Sequence, residues 1–211
     1  DWLVDHINDP NVRLVDTDVP EEYEKGHIPN SVNPVDHYYK TSLEERTHIQ
    51  SPEQFEQTMA ELGIDDDTTV VGYNRGGGVY SYGHTNVKIL DGGLEKWVAE
   101  GRETTKESFT AAGTAGSFTA KANSEIFASR ERVLDSIDDS STIILDVRSD
   151  DEWTGANKRG GPRGGHIPSA VHLEWTNFMT EGDIPVLKTA EEIRKLLSEA
   201  GVTPDKNVIT Y

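Results

Sequence analysis

Residues able to do chemistry are unevenly placed along this 211-residue chain. Lys158, Arg159 and Arg163 cluster in GANKRGGPRGGHIP, a cationic, glycine-rich stretch in an otherwise acidic sequence. Guanidinium groups present a planar fork of donors that suits bidentate oxyanion contacts, so the stretch is a candidate anion site with Arg163 at its centre. A solvated loop with incidental charge is the plainer alternative. A second candidate is NRGGG at 74–78, directly after the apolar run TTVVGY. Backbone N–H groups converging in such a turn form an anion nest, although the glycines could equally serve only a tight strand-to-helix turn. No Gly-Lys-Ser/Thr follows, so it is not a P-loop. The seven histidines show no metal-ligand spacing, and no metal is expected. The chain has no cysteine, which excludes disulfides, thiolate metal sites and thiol catalysis by the residues given.

Composition narrows the partners. Against 20 Lys+Arg stand 38 Asp+Glu, a formal net charge of -18. Nucleic acid, which needs clustered cations, is therefore not an expected partner. The acidic residues are dispersed, as in DDD at 65–67 and DDEW at 150–153, and describe a folded protein with an acidic surface. A high-salt cytoplasm is one setting that tolerates such self-repulsion. No apolar run approaches the ~20 residues a bilayer span needs, and no charged-then-apolar leader opens the chain, so the reading is cytoplasmic with no membrane partner.

The elements that must position these residues occur twice. GHIP stands at Gly26 and again at Gly165, 139 residues on, each copy after an apolar run ending in Asp, VRLVD at 12–16 and TIILD at 142–146. SPEQFEQTMAELGIDDDTTVVGY at 51–73 lies over TAEEIRKLLSEAGVTPDKNVITY at 189–211 with an offset of 138. A near-constant offset across strand, loop, helix and strand is a duplication. Ser51 with Gln54, and Thr189 with Glu192, predict capping boxes. Phe55, Met59 and Leu62 form one apolar stripe, and Ile193, Leu196, Leu197 and Ala200 the other. Gly63 and Gly201 close the two helices. Short, nearly all-apolar strands alternating with helices predict an α/β fold with a parallel sheet covered on both faces. Ligands of such sheets bind beyond the carboxyl ends of the strands.

The paired GHIP motifs, DVRSDDEWTG at 146–155, NVKILDGGLEKW at 86–97 and the closing VITY resemble the rhodanese family, specifically its tandem-domain thiosulfate and 3-mercaptopyruvate sulfurtransferases. The resemblance implies two tandem rhodanese-like domains, each a mainly parallel sheet flanked by helices. We place a non-catalytic domain at 1–102, a linker at 103–122 and a catalytic domain at 123–211. The implied reaction moves sulfane sulfur from a small-molecule donor, thiosulfate, to a small-molecule thiophilic acceptor such as cyanide or a thiol, with no cofactor. In this family the silent domain carries a non-cysteine residue where Asn74 stands, and the second domain carries the persulfide-forming cysteine directly after the strand that here reads NVITY. That cysteine is expected next after Tyr211, with the second domain cut short there. A further gap is expected between Tyr80 and Gly83, where a crossover helix should separate two parallel strands.

By the same resemblance Asp146 and Arg148 are the family's D-x-R pair, shaping the pocket and bringing positive charge; a plain surface ion pair is the alternative. The mercaptopyruvate-type enzymes carry an anion-binding Arg four residues beyond that arginine, where this chain has Glu152, which weighs against mercaptopyruvate. Thiosulfate, a dianion, needs a local positive field, which makes Arg163 the best substrate contact in the cationic stretch. His27 and His166 read as structural, and Trp153 and Trp175 as core. Two other functions fit the same fold: an inactive binding or scaffold module, and a cysteine-dependent phosphatase with a longer loop.

Overall fold

The computed structural model describes residues 2–34, 51–74, 86–109, 116–121 and 128–211. The chain divides into two compact units, Asp1–Asn123 and Ser124–Tyr211.

The first unit contains α1 (Trp2–His6), β1 (Val12–Asp16), α2 (Pro20–Tyr23), β2 (Ser31–Val32), α3 (Pro52–Glu61), β3 (Thr69–Tyr73), β4 (Val87–Ile89) and α4 (Gly93–Ala99). Its strands pair in the order β2-β1-β3-β4, all parallel. Successive side chains of a strand point to opposite faces, and Leu14 and Val15 show the consequence. Leu14 packs with Leu3, Ile28, Val71, Leu94 and Trp97. Val15 packs with Val32, Phe55, Met59, Leu62 and Ile64 on the other side. Both faces are thus covered, as the apolar strands predict.

The second unit contains α5 (Arg130–Ser136), β5 (Thr142–Asp146), α6 (Asp150–Thr154), β6 (Val171–His172), a 3-10 helix (Trp175–Phe178), α7 (Ala190–Glu199) and β7 (Asn207–Thr210). Its strands pair in parallel in the order β6-β5-β7. Ile144, Leu145 and Ile209 are buried. The α7 stripe of Ile193, Leu196 and Leu197 is half-buried, whereas Phe55 and Met59 on α3 are buried.

Both predicted capping boxes form, at Ser51/Gln54 and Thr189/Glu192. Gly63 and Gly201 take left-handed φ values of 66° and 78°, the conformation a helix C′ glycine supplies.

The stretch read as a linker at 103–122 joins the first unit wherever it is described. Thr105 pairs in antiparallel fashion with His27. Phe118 meets Phe55 edge to face at 5.5 Å, and the Ala120 N–H donates to Glu56 Oε1 at 2.9 Å. The glycine-rich loop after Asn74 and the gap near Tyr80 lie outside the described residues.

Candidate functional site

Strand β5 delivers Asp146 to the carboxyl end of the second sheet, fully buried. Two residues on, Arg148 folds back over it. Its backbone N–H and Nε both donate to Asp146 Oδ1, at 3.0 and 2.9 Å, and Nη2 donates to Oδ2. Nη2 also reaches Gly165 O at 3.1 Å. The guanidinium lies 4.8 Å from the centre of the Tyr211 ring, a cation–π contact at the end of the neighbouring strand. The Tyr211 hydroxyl accepts from the Ile167 N–H at 2.9 Å and hydrogen-bonds the Asp146 carboxyl.

Charge follows from this packing. Burial alone pushes the Asp146 carboxyl up, but the Arg148 guanidinium, the Arg148 N–H and the Tyr211 hydroxyl more than reverse it and hold the group below its ordinary value. The Asp146 carboxylate in turn raises Arg148. Burial raises the Tyr211 phenol, which stays neutral at physiological pH. One edge of the guanidinium remains available: Nη1 carries no hydrogen bond among the described residues, and the side chain is 29% exposed. The arrangement offers a fixed cation with a donor edge at a strand terminus, which suits an anion.

The cationic stretch is an insertion. Tyr23 and Trp153 lie 130 apart while the GHIP motifs lie 139 apart, so the second unit carries 139 − 130 = 9 extra residues between them. The loop closes where Gly155 and Gly164 meet; a Cβ on Gly164 would stand 2.5 Å from Gly155 O. Lys158, Arg159 and Arg163 are exposed along it. Arg163 makes no hydrogen bond or ion pair with Asp146, Arg148 or Tyr211 among the described residues, although Gly165, two residues later, accepts from Arg148.

Glu152, which the resemblance sets against an anion-binding Arg of the mercaptopyruvate-type enzymes, is buried, and both of its carboxylate oxygens are bonded. It completes the α6 capping box with Ser149, and its other oxygen accepts from Arg159 Nε at 3.1 Å. The Ser149 hydroxyl, together with Arg159, holds its carboxyl below the usual range despite burial.

The first unit repeats the frame with an acidic residue in the place of Arg148. Asp16 is buried at the end of β1, and the Tyr73 hydroxyl accepts from the Ile28 N–H at 3.0 Å. Asp18 stands in the place of Arg148, and its N–H donates to Asp16 Oδ1 at 2.9 Å. Tyr73 donates to Ser31 Oγ at 2.8 Å, where the second unit has Ala170. Asn74 follows β3, and its carbonyl accepts from the Leu94 N–H at 3.2 Å.

His27 is buried and bonded to Tyr23 O and Glu107 O, in keeping with a structural role. His166 bonds Trp153 O at 2.9 Å and stacks on that indole. The sequence places Arg159 in the cationic stretch without pairing it with Glu152, which seats it, and gives no role to His172, which sits on the Arg148 carbonyl. The (i, i+7) spacing of Glu152 and Arg159 is the sequence sign of that pairing. Trp175 is 48% exposed, not core, and its backbone N–H donates to Val147 O at the strand end. No group of three or more His, Asp or Glu among the described residues is arranged to hold a metal ion.

Comparison with known proteins follows the same lines. The profile of the Rhodanese-like domain matches residues 1–100 and 129–211. A "Putative thiosulfate sulfurtransferase" of Saccharopolyspora erythraea is 34% identical over 230 residues, covering 100% of this chain and 79% of its own. "Sulfur carrier protein TtuD" of Thermus thermophilus is 32% identical over 234 residues, covering 100% of this chain and 80% of its own. Among solved structures, SseA of Escherichia coli, described as a 3-mercaptopyruvate sulfotransferase with the rhodanese fold, superposes with a TM-score of 0.79 at 28% identity, over 99% of this chain and 85% of SseA.

Proposed function

The chain belongs to the rhodanese family, and from that premise we propose that it serves a thiosulfate sulfurtransferase whose second unit is catalytic. A cysteine thiolate attacks the outer sulfur of thiosulfate; the S–S bond breaks and sulfite leaves with its electron pair, so the enzyme holds a persulfide. Cyanide or a thiol then takes the terminal sulfur and the thiolate is restored. The resemblance implies that this cysteine follows Tyr211, at the counterpart of Asn74 after Tyr73.

The observation that carries the reading is the exchange of Asp18 for Arg148 within one conserved frame. Both units bury an Asp at the strand end and tie a Tyr hydroxyl to the GHIP loop, and among the described residues the second places the Arg148 guanidinium against its Asp where the first has Asp18. Arg148 Nη1 is the anion contact, Asp146 its anchor, and Arg163 draws the dianion inward by the field of its loop. Glu152, locked between Ser149 and Arg159, cannot take the role of the mercaptopyruvate-binding Arg.

Thiosulfate is therefore the expected donor. In sulfur transfer to cyanide by the protein at its natural length, kcat/KM should be higher for thiosulfate than for mercaptopyruvate, and Arg148→Ala should lower the thiosulfate value by about tenfold or more, the scale of one charge-assisted contact. Equal or better use of mercaptopyruvate would reject the donor assignment.

A further inference from the structure

The turn that carries Arg148 has three consecutive carbonyl oxygens, and each accepts a hydrogen bond from a described residue. The Leu173 N–H donates to Asp146 O at 3.0 Å and the Trp175 N–H to Val147 O at 2.9 Å. The third, Arg148 O, accepts from His172 Nε2 at 2.9 Å. Two of these donors are backbone groups that no side-chain substitution removes. His172 supplies the one bond of the three that depends on residue type.

The imidazole is fixed for this task. A carbonyl oxygen only accepts, so Nε2 is the nitrogen that bears the proton. The ring stacks on Trp153 with centroids 4.9 Å apart and planes 5° from parallel. Trp153 also stacks with His166, at 3.4 Å, and His172 Nδ1 faces Asp150 Oδ1 at 3.5 Å.

The first unit supplies an internal control. Its residue at the position of His172, 139 earlier, is Asn33. Asn33 Nδ2 donates to Asp16 O at 3.0 Å and to Asp18 O at 2.7 Å, the counterparts of Asp146 O and Arg148 O. Two different side chains satisfy the same carbonyl, so the requirement belongs to the turn. What differs is the cargo: Asp18 in one unit, a guanidinium placed against Asp146 and Tyr211 in the other.

We propose that His172 is a positioning residue: by holding the Arg148 carbonyl it fixes the turn that aims the Arg148 guanidinium at the mouth of the site. The inference rests on the reading of Arg148 as the anion contact given under Proposed function. Its test compares His172→Asn and His172→Ala in the protein at its natural length, with two readouts. By NMR, the Arg148 Nε–H should be protected from solvent exchange in the wild type and in His172→Asn, and should lose that protection in His172→Ala. In kinetics, His172→Ala should raise KM for thiosulfate about threefold to tenfold, the range one lost hydrogen bond gives, with a smaller change in kcat, while His172→Asn stays near wild type. An Arg148 Nε–H equally protected in His172→Ala, or a His172→Asn variant that falls with it, overturns the proposal. If the wild type takes no sulfur from thiosulfate, the proposed function fails, and the exchange measurement still decides the role of His172.

Discussion

Asp146 is the residue on which the site turns, because a carboxylate with no exposure needs the partners it has. Removing its charge leaves the Arg148 fork without its anion. Arg148 is 29% exposed, so water recovers part of the loss, and Asp146→Asn should destabilise the protein at pH 7 by about 2–3 kcal/mol, below the range for a fully buried pair. The pH dependence has a definite sign. The folded-state pKa of Asp146 is depressed, so its stabilisation is complete above the unfolded value of about 3.9 and is lost as pH falls through the folded value. Thermal melts of wild type and Asp146→Asn should therefore converge below about pH 4. A gap that stays constant down to pH 3 would show that charge is not what Asp146 contributes. The D-x-R spacing made this pair legible in the sequence. His172 was not, because its role depends on β6 bringing it beside a turn 24 residues earlier.

Local signals served well where an element is governed by its own neighbours. Both capping boxes, both C′ glycines and the apolar stripe of α3 follow from spacing alone. The linker at 103–122 was a composition-based reading, and there Phe109 and Phe118 pack on the second core face of the first unit while Arg13 stacks over Phe109 at 5.2 Å. Thr, Ala, Gly and Ser around them hid those two rings. The nine-residue cationic loop was visible as an insertion, but not the pinch at its base. Gly155, at φ +84°, and Gly164 approach backbone to backbone, with no flexible side chain to yield. Gly164→Ala should lower stability by about 1–3 kcal/mol, read as a lower urea midpoint. An unchanged midpoint would mean that the loop base parts freely.

The whole chain carries two copies of one strand-end frame under a formal net charge of -18. Dispersed like charges repel, and raising salt from 0.1 to 1 M shortens the screening length from about 10 to about 3 Å. The melting temperature should rise between dilute and molar KCl; a value unchanged or lowered would remove the idea of adaptation to salt. The duplication also frames the central claim, since the first and second units differ at the strand end by Asp18 against Arg148 and, in the proposed mechanism, by Asn74 against a cysteine. The most direct test is the intact mass of the protein at its natural length before and after incubation with thiosulfate. The account predicts a gain of one sulfur atom, localised to the segment that follows β7 and removed by cyanide. A mass that does not change would contradict it.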